Sequence, residues 1–167
     1  MTADERTGNL LGALALTVAD RIATGSDAAA LITLRNYAEG EPLDLLRRAL
    51  ALSHPAVVRL ADRLQERGLV ERRRSERDGR AVALRLTPAG RKAADDALAA
   101  RASAIDDVLA PLDASERQAL EAILERMLAT ATTDATASLV ICRLCDPDVC
   151  GHPARCPVTQ AAREAAA

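Results

Sequence analysis

A chain that is 49% hydrophobic must here build its interior almost without rings: Tyr37 is the sole aromatic residue, and Phe and Trp are absent. Leu, Ala, Val and Ile then fill the core, which favours closely packed helices over a β-sandwich. The same scarcity removes base stacking on aromatic side chains as a way of holding nucleic acid. At 167 residues the chain suits one domain with an appendage, and 28% charged residues fit neither a disordered tail nor a membrane protein. The longest apolar run, Leu10–Ala19, is shorter than a bilayer span and follows Asp4 and Glu5 rather than a basic leader. A cytoplasmic protein without membrane association, its thiols reduced, is the expectation.

Hydrophobic periodicity divides the chain into helices and one hairpin. Leu11, Leu14, Val18 and Ile22 form a stripe on a first helix over about Asn9–Ala23. Gly25 ends it, and Ser26 or Asp27 is placed to cap a second helix with Leu31, Ile32 and Leu34. After Gly40 and Pro42 a short helix carries Leu43, Leu45, Leu46 and Leu50. The next, capped by Ser53 with Pro55 in its first turn, carries Val57, Leu60, Ala61 and Leu64 and stops at Gly68. Leu69–Arg72 and Ala81–Leu86 then alternate as strands around a polar tip, 75–80. Thr87-Pro88 opens a long helix to about Ala110. Asp113 with Glu116 has the spacing of a capping box before the stripe Leu120, Ile123, Leu124, Met127 and Leu128. Ala129–Ser138 reads as a weak joint.

Charge is concentrated on the hairpin and the helix before it. Residues 59–92 hold eleven of the 22 basic side chains and five of the 24 acidic ones, a local excess of six positive charges in an otherwise acidic chain. Such a block suits a polyanion, and Lys92 is its only lysine; arginine forks take phosphates or a guanine edge bidentately. A solvated charged face is the plainer alternative. Arg72, Arg73 and Arg74 share a strand, so alternation turns at least one of them away from any DNA.

The stretch 50–64, LALSHPAVVRLADRL, followed by Glu66-Arg67-Gly68-Leu69-Val70, the tip Asp78-Gly79-Arg80 and then Leu86-Thr87-Pro88-Ala89-Gly90, resembles the MarR family of bacterial winged-helix transcription regulators. The resemblance follows the order of elements from about Leu10 to Leu128 and is most specific over Leu43–Gly90. It implies a mainly α fold with a small β-hairpin wing, a winged helix-turn-helix flanked by long N- and C-terminal dimerisation helices. An obligate homodimer is implied, with a recognition helix in the major groove and a wing in the adjacent minor groove. Ser53, His54, Pro55, Val58, Arg59 and Arg63 map to the outer side of that helix, and Arg80 to the wing-tip arginine, with Asp78 orienting it. Arg74 and Arg77 complete the expected DNA-binding set. Ala51 departs from the pattern, since helix-turn-helix turns often carry Gly there. The scarcity of rings also departs from pockets that hold phenolic effectors.

The four cysteines, Cys142, Cys145, Cys150 and Cys156, all fall within fifteen residues. The Cys-x2-Cys pair can place two thiolates on one tetrahedral ion, with Cys150 and Cys156 closing the site and His152 as a reserve ligand. Pro147, Gly151, Pro153 and Pro157 give the turns that a short wrapping peptide needs. Zinc is the first expectation. An iron–sulfur cluster is the alternative, since the run ends in Cys-Pro as bacterial ferredoxin motifs do, though with longer gaps. A reversible disulfide switch without metal is a third.

The expected organisation is therefore a winged-helix and dimerisation domain over 1–138, with its DNA-binding part at about 43–90, and a cysteine-rich metal-binding extension over 139–160. The expected function is a sequence-specific, dimeric DNA-binding regulator, a repressor rather than an activator, on an inverted-repeat operator in double-stranded DNA. Its effector would be a small molecule or a redox signal. Two other classes compete: a metal- or redox-dependent enzyme using the cysteines, and a winged-helix adaptor for other proteins. The chain carries no HExxH pair and no glycine-rich phosphate loop, which weighs against an enzyme.

Overall fold

The computed structural model describes residues 3–22, 25–75 and 77–166. In chain order these form α1 (Ala3–Arg21), α2 (Ser26–Thr33) running on into a π-helical turn (Leu34–Ala38), α3 (Leu43–Ala49), α4 (His54–Glu66), β1 (Val70–Arg74), β2 (Val82–Leu86), α5 (Pro88–Leu109), α6 (Ala114–Ala131), α7 (Ala135–Cys142) and α8 (Pro157–Glu164). No helix among the described residues is long and apolar enough to cross a membrane.

The core is aliphatic, as the composition requires. Leu31, Leu34, Leu46, Val57, Leu60, Leu64, Val70 and Leu84 pack into one cluster between α2, α3, α4 and the hairpin. Residues 57, 60, 61 and 64 lie one helical face apart, so α4 turns a single apolar side inward and leaves its other side to solvent. Each fully buried leucine contributes about 2 kcal/mol. The hairpin is antiparallel, in register from Val70↔Leu86 to Arg74↔Val82.

A corner at Glu39–Pro42 is stitched to this hairpin. The Gly40 amide donates to the Leu84 carbonyl at 3.1 Å, Pro42 bridges Ala83, and the Leu86 amide donates to Glu39 Oε1 at 3.0 Å. Just beyond β1, the buried Ser75 hydroxyl donates to the Gly40 carbonyl at 3.1 Å. The wing root is therefore tied to the chain that leaves the π-helical turn.

Most local signals hold, with differences that have physical causes. Thr87 caps α5 by accepting from the Gly90 amide, and Asp113 with Glu116 forms the reciprocal capping box of α6. Helix α1 starts earlier than the apolar stripe, because the acidic Asp4 and Glu5 suit a helix N-terminus; its expected end at Ala23 and Glu76 of the hairpin tip lie outside the described residues. Gly25, not Ser26 or Asp27, is the cap residue of α2, and Asp27 is committed elsewhere. Ser53 occupies the cap position of α4 without a side-chain capping bond. Both strands start one residue later than the alternation suggests, and β1 runs on to Arg74. The weak joint is also shorter than expected, since Asp134 accepts from the Thr136 and Ala137 amides and starts α7 at Ala135. That helix runs unbroken through the expected domain boundary at 138/139, so the structural break lies at Thr132–Asp134.

Helices α1 and α6 stand apart from the core. Helix α6 has no buried residue. Leu10, Leu11, Leu14 and Leu16 of α1 and Ile123, Leu124, Met127 and Leu128 of α6 are exposed.

Candidate nucleic-acid interface and cysteine cavity

The outer side of α4 and the hairpin carry the exposed residues of the candidate interface. Ser53, His54, Pro55 and Arg59 are exposed at the start of α4, and Val58 is half-buried between them. A shallow groove along the hairpin is lined by Arg72, Arg73, Arg74 and Arg80. Arg74, Arg77, Asp78 and Arg80 are all exposed. Asp78 does order the tip, but through the backbone: its carboxylate accepts from the Arg80 amide at 3.0 Å. The same tip is anchored from below by the Ser75 hydroxyl, which accepts from the Arg77 and Asp78 amides.

Not every arginine of the basic block faces outward unengaged. Arg63 and Arg67 both pair with Asp27 of α2, each at 2.7 Å, rather than with neighbours on their own helix. Arg72 turns toward α4 and pairs with Asp62 at 2.7 Å. Arg73 pairs with Glu71, and Arg77 lies 3.6 Å from Glu41. These pairs are largely exposed and each contributes at most about 1 kcal/mol, which a phosphate can readily compete for. Asp27 carries no short-range signal in the sequence, because its partners are more than thirty positions away.

The turn between α3 and α4 contains the departure noted from the family pattern. Ala51 takes a positive φ of 51°, the left-handed conformation in which Gly is normally found. The turn thus has the shape that Gly would give it, held by the Leu52 amide on the Arg47 carbonyl at 2.9 Å and the Ala51 amide on Arg48 at 3.1 Å.

The cysteines converge on one cavity of about 370 Å³ between the C-terminal segment and the winged module. Cys142 ends α7, Cys145 and Cys150 lie in the connecting loop, and Cys156 caps α8. All four line the cavity with His152 and Thr159, and Asn36, Tyr37, Glu41 and Arg77 close it from the module side. Burial pushes the Cys142 thiol up to about 12, with Cys145 and Cys156 adding to it; burial, then the neighbouring Cys145 and Cys156, does the same to Cys150. Cys156 goes the other way. Burial opposes its ionisation, but hydrogen bonds from the Thr159 side chain and amide, from Cys150 and from the Val158 amide outweigh it and lower its pKa. It is a thiol at a helix N-terminus, where a thiolate is favoured. Thr159 also meets His152 Nδ1 at 2.9 Å, so His152 reaches Cys156 through a hydroxyl.

The four thiols are free, and among the described residues no three donors are gathered closely enough to grip one ion as they stand. They surround the cavity instead. Three side chains hold this lobe to the module: the Thr33 hydroxyl donates to the Arg143 carbonyl at 3.2 Å, Asn36 Nδ2 to the Cys145 carbonyl at 2.7 Å, and the Tyr37 hydroxyl to the Leu139 carbonyl at 3.4 Å. Sequence reasoning missed Asn36, Tyr37, Glu41 and Thr159, since each acts across a contact that no local spacing encodes.

Residues 44–81 match the family model described as MarR family. Over 97 residues the chain is 31% identical to the HTH-type transcriptional regulator YdgJ of Bacillus subtilis (strain 168), covering 58% of this chain and 59% of that protein. Over 101 residues it is 33% identical to the transcriptional repressor MprA of Escherichia coli (strain K12), covering 59% and 57%. The chain thus matches less than two thirds of the length of these relatives. A solved structure of a probable transcriptional regulator from Pseudomonas aeruginosa has 29% identity and a TM-score of 0.57, covering 75% of this chain and 99% of that one. With a helix-turn-helix at α3–α4, a hairpin wing after it and long helices on either side, the chain is similar to MarR-family regulators, and the match to the family model lies over residues 44–81.

Proposed function

We propose that this protein is a dimeric DNA-binding transcription regulator, acting as a repressor, whose four cysteines hold a metal centre. The carrying observation is that the start of α4 and the arginines of the wing are both exposed, on two elements joined by the Arg72–Asp62 pair. That pairing can seat a helix in the major groove while the wing tip reaches the minor groove. In this reading Ser53, His54 and Arg59, exposed on α4, would meet base edges or phosphates, and Arg74, Arg77 and Arg80 the backbone and minor groove. The likeness to a protein named a transcriptional repressor supports the direction of control. It also favours a regulator over an enzyme or an adaptor.

A second copy of the chain is the natural cover for the exposed leucines of α1 and the Ile123–Leu128 stripe of α6. A two-fold dimer would present two α4 helices to an inverted-repeat operator. On the cysteines, the donor set suits a soft cation: four thiols and one imidazole line a single cavity roomy enough for zinc or a small iron–sulfur cluster. Cys142, Cys145, Cys150 and Cys156 would be the ligands, with His152 in reserve. The centre would supply cross-linking of a loop that has little core of its own, or a redox signal. The same cavity is the place for a small-molecule effector.

The test joins DNA affinity to salt and to two arginines. Binding to the operator should fall steeply with salt; Arg80→Ala should weaken it on all sequences, and Arg59→Ala should also blur base preference. If both variants keep wild-type affinity in a gel-shift titration, the interface lies elsewhere. Light scattering should report a dimer at micromolar protein. Metal analysis after anaerobic purification should find zinc, or iron with acid-labile sulfide. That metal should be lost in the Cys142→Ser, Cys145→Ser double variant and kept in His152→Ala.

A further inference from the structure

Three facts about one short stretch of chain point the same way. Thr33, Asn36 and Tyr37 sit within five residues, and all three donate side-chain hydrogen bonds to backbone carbonyls of the cysteine lobe, at Arg143, Cys145 and Leu139. The stretch is not plain α-helix: it turns π-helical over Leu34–Ala38, a geometry that recurs at functional sites because it redirects side chains and loosens the ladder. One residue later the chain enters the Glu39–Pro42 corner, which is bonded to β2 through Ala83, Leu84 and Leu86 and to Ser75 just beyond β1. The carbonyl that Asn36 holds belongs to Cys145, a cysteine of the cavity itself. Glu41 and Arg77 line that cavity from the wing side.

We propose that the state of the cysteine cavity is relayed to the wing of the same protomer through the π-helical turn, with Asn36 and Tyr37 as the positioning residues that couple the two. The inference rests on the reading of the cysteines as a metal centre and adds the route by which that centre controls DNA. Drawing four thiols onto a metal would move the backbone of Cys142 and Cys145; Asn36 is tied to the Cys145 carbonyl directly, and Tyr37 to the Leu139 carbonyl, three residues before Cys142 in α7. Their displacement is carried along a short, hydrogen-bonded corner to β2 and to Ser75, which orders the tip carrying Arg77, Asp78 and Arg80. The buried Ser75–Gly40 bond is the firm end of this route, whereas the exposed 3.6 Å Arg77–Glu41 pair adds little. Control is therefore exerted within each winged module, with no need to change the spacing of two modules.

The test uses full-length protein purified anaerobically, and the same protein stripped with a thiol-competing chelator under reductant. Operator affinity, metal content and dimer mass are read for each. The wild type should change affinity by about tenfold on stripping, the middle of the usual coupling range. The Asn36→Ala, Tyr37→Phe double variant should keep metal content and dimer mass while the ratio falls to about twofold or less; Tyr37→Phe alone, which removes one long hydrogen bond, should lie between. A double variant that retains metal and also retains the full ratio overturns the relay. A wild type that carries no metal, or whose affinity ignores it, overturns the metal reading and the relay together. The two failures are distinguishable, because the first appears only in the variants and the second already in the unaltered protein.

Discussion

Helix α4 buries Val57, Leu60, Ala61 and Leu64 against its own module, whereas α7 of the cysteine lobe buries no residue and α8 buries only Val158. The two regions are of similar helical make-up and sit against each other, yet they are stabilised by different physics. The winged module is held by apolar area, a term that is non-directional and indifferent to redox state. The lobe is held by three side-chain hydrogen bonds, by Cys156 and Val158, and by whatever its thiols bind. A region with little core can be ordered or released by a chemical event, and a region with a dense core cannot. Regulators gain from having one of each.

The sharpest way to break this contrast is to delete core from the module. Leu64→Ala removes a fully buried side chain from the centre of the cluster and should cost about 2–5 kcal/mol of unfolding free energy, read by urea titration. A loss under about 1 kcal/mol would mean that the module relies on the lobe or the partner subunit more than its own packing suggests.

Next in size is Gly90. An Ala in the first turns of a helix normally stabilises, but a Cβ here would lie 1.9 Å from the Leu69 carbonyl oxygen, which already accepts from the Thr87 amide. Gly90→Ala should therefore destabilise by about 1–3 kcal/mol, with α5 displaced from the wing. An increase in thermal midpoint would show that α5 is free to shift.

How much of this was legible beforehand divides along the same line. The module was readable because its signals are local: a cap at Thr87, a stop at Gly68, a capping box at Asp113 and Glu116, and apolar residues at helical spacing. What stayed hidden depends on residues meeting across long loops. Nothing near Asp27 announces that it clasps Arg63 and Arg67, and nothing near Asn36 announces Cys145. The cysteine cluster was visible as chemistry, but not its seat against the π-helical turn. The structure seats the extension against the winged module through Thr33, Asn36 and Tyr37.

Removing the lobe's thiol chemistry should have a smaller effect on stability than either core change. In the Cys142→Ser, Cys145→Ser variant the module loses neighbours for Thr33, Asn36 and Tyr37, but water can replace those partners, so its unfolding free energy should fall by about 1 kcal/mol. Over the same comparison, limited proteolysis should begin to cut within residues 143–155 while 43–90 stays intact. Cleavage in both regions at equal rates would show one cooperative unit and erase the distinction.

The finest test compares two residues that share a backbone conformation. Ala51 in the module and Gly151 in the lobe both have positive φ, 51° and 70°. Holding a non-glycine residue there costs about 1–2 kcal/mol, which a module with a dense core can sustain. The lobe places Gly at the corresponding demand. Ala51→Gly relieves that strain but gives the unfolded chain more freedom, a cost of about 0.5–1 kcal/mol, so the net gain should be only about 0.5 kcal/mol. Gly151→Ala should do the reverse: it adds the strain and brings a Cβ within 3.0 Å of Arg155 Cβ. The loss should appear first as weaker metal retention, since the loop between Cys150 and Cys156 must hold its shape to present both thiols. If Gly151→Ala leaves metal retention unchanged while Ala51→Gly raises the thermal midpoint by many degrees, the module is the more strained partner and the lobe the more relaxed one. The contrast drawn from burial would then have to be redrawn in terms of strain.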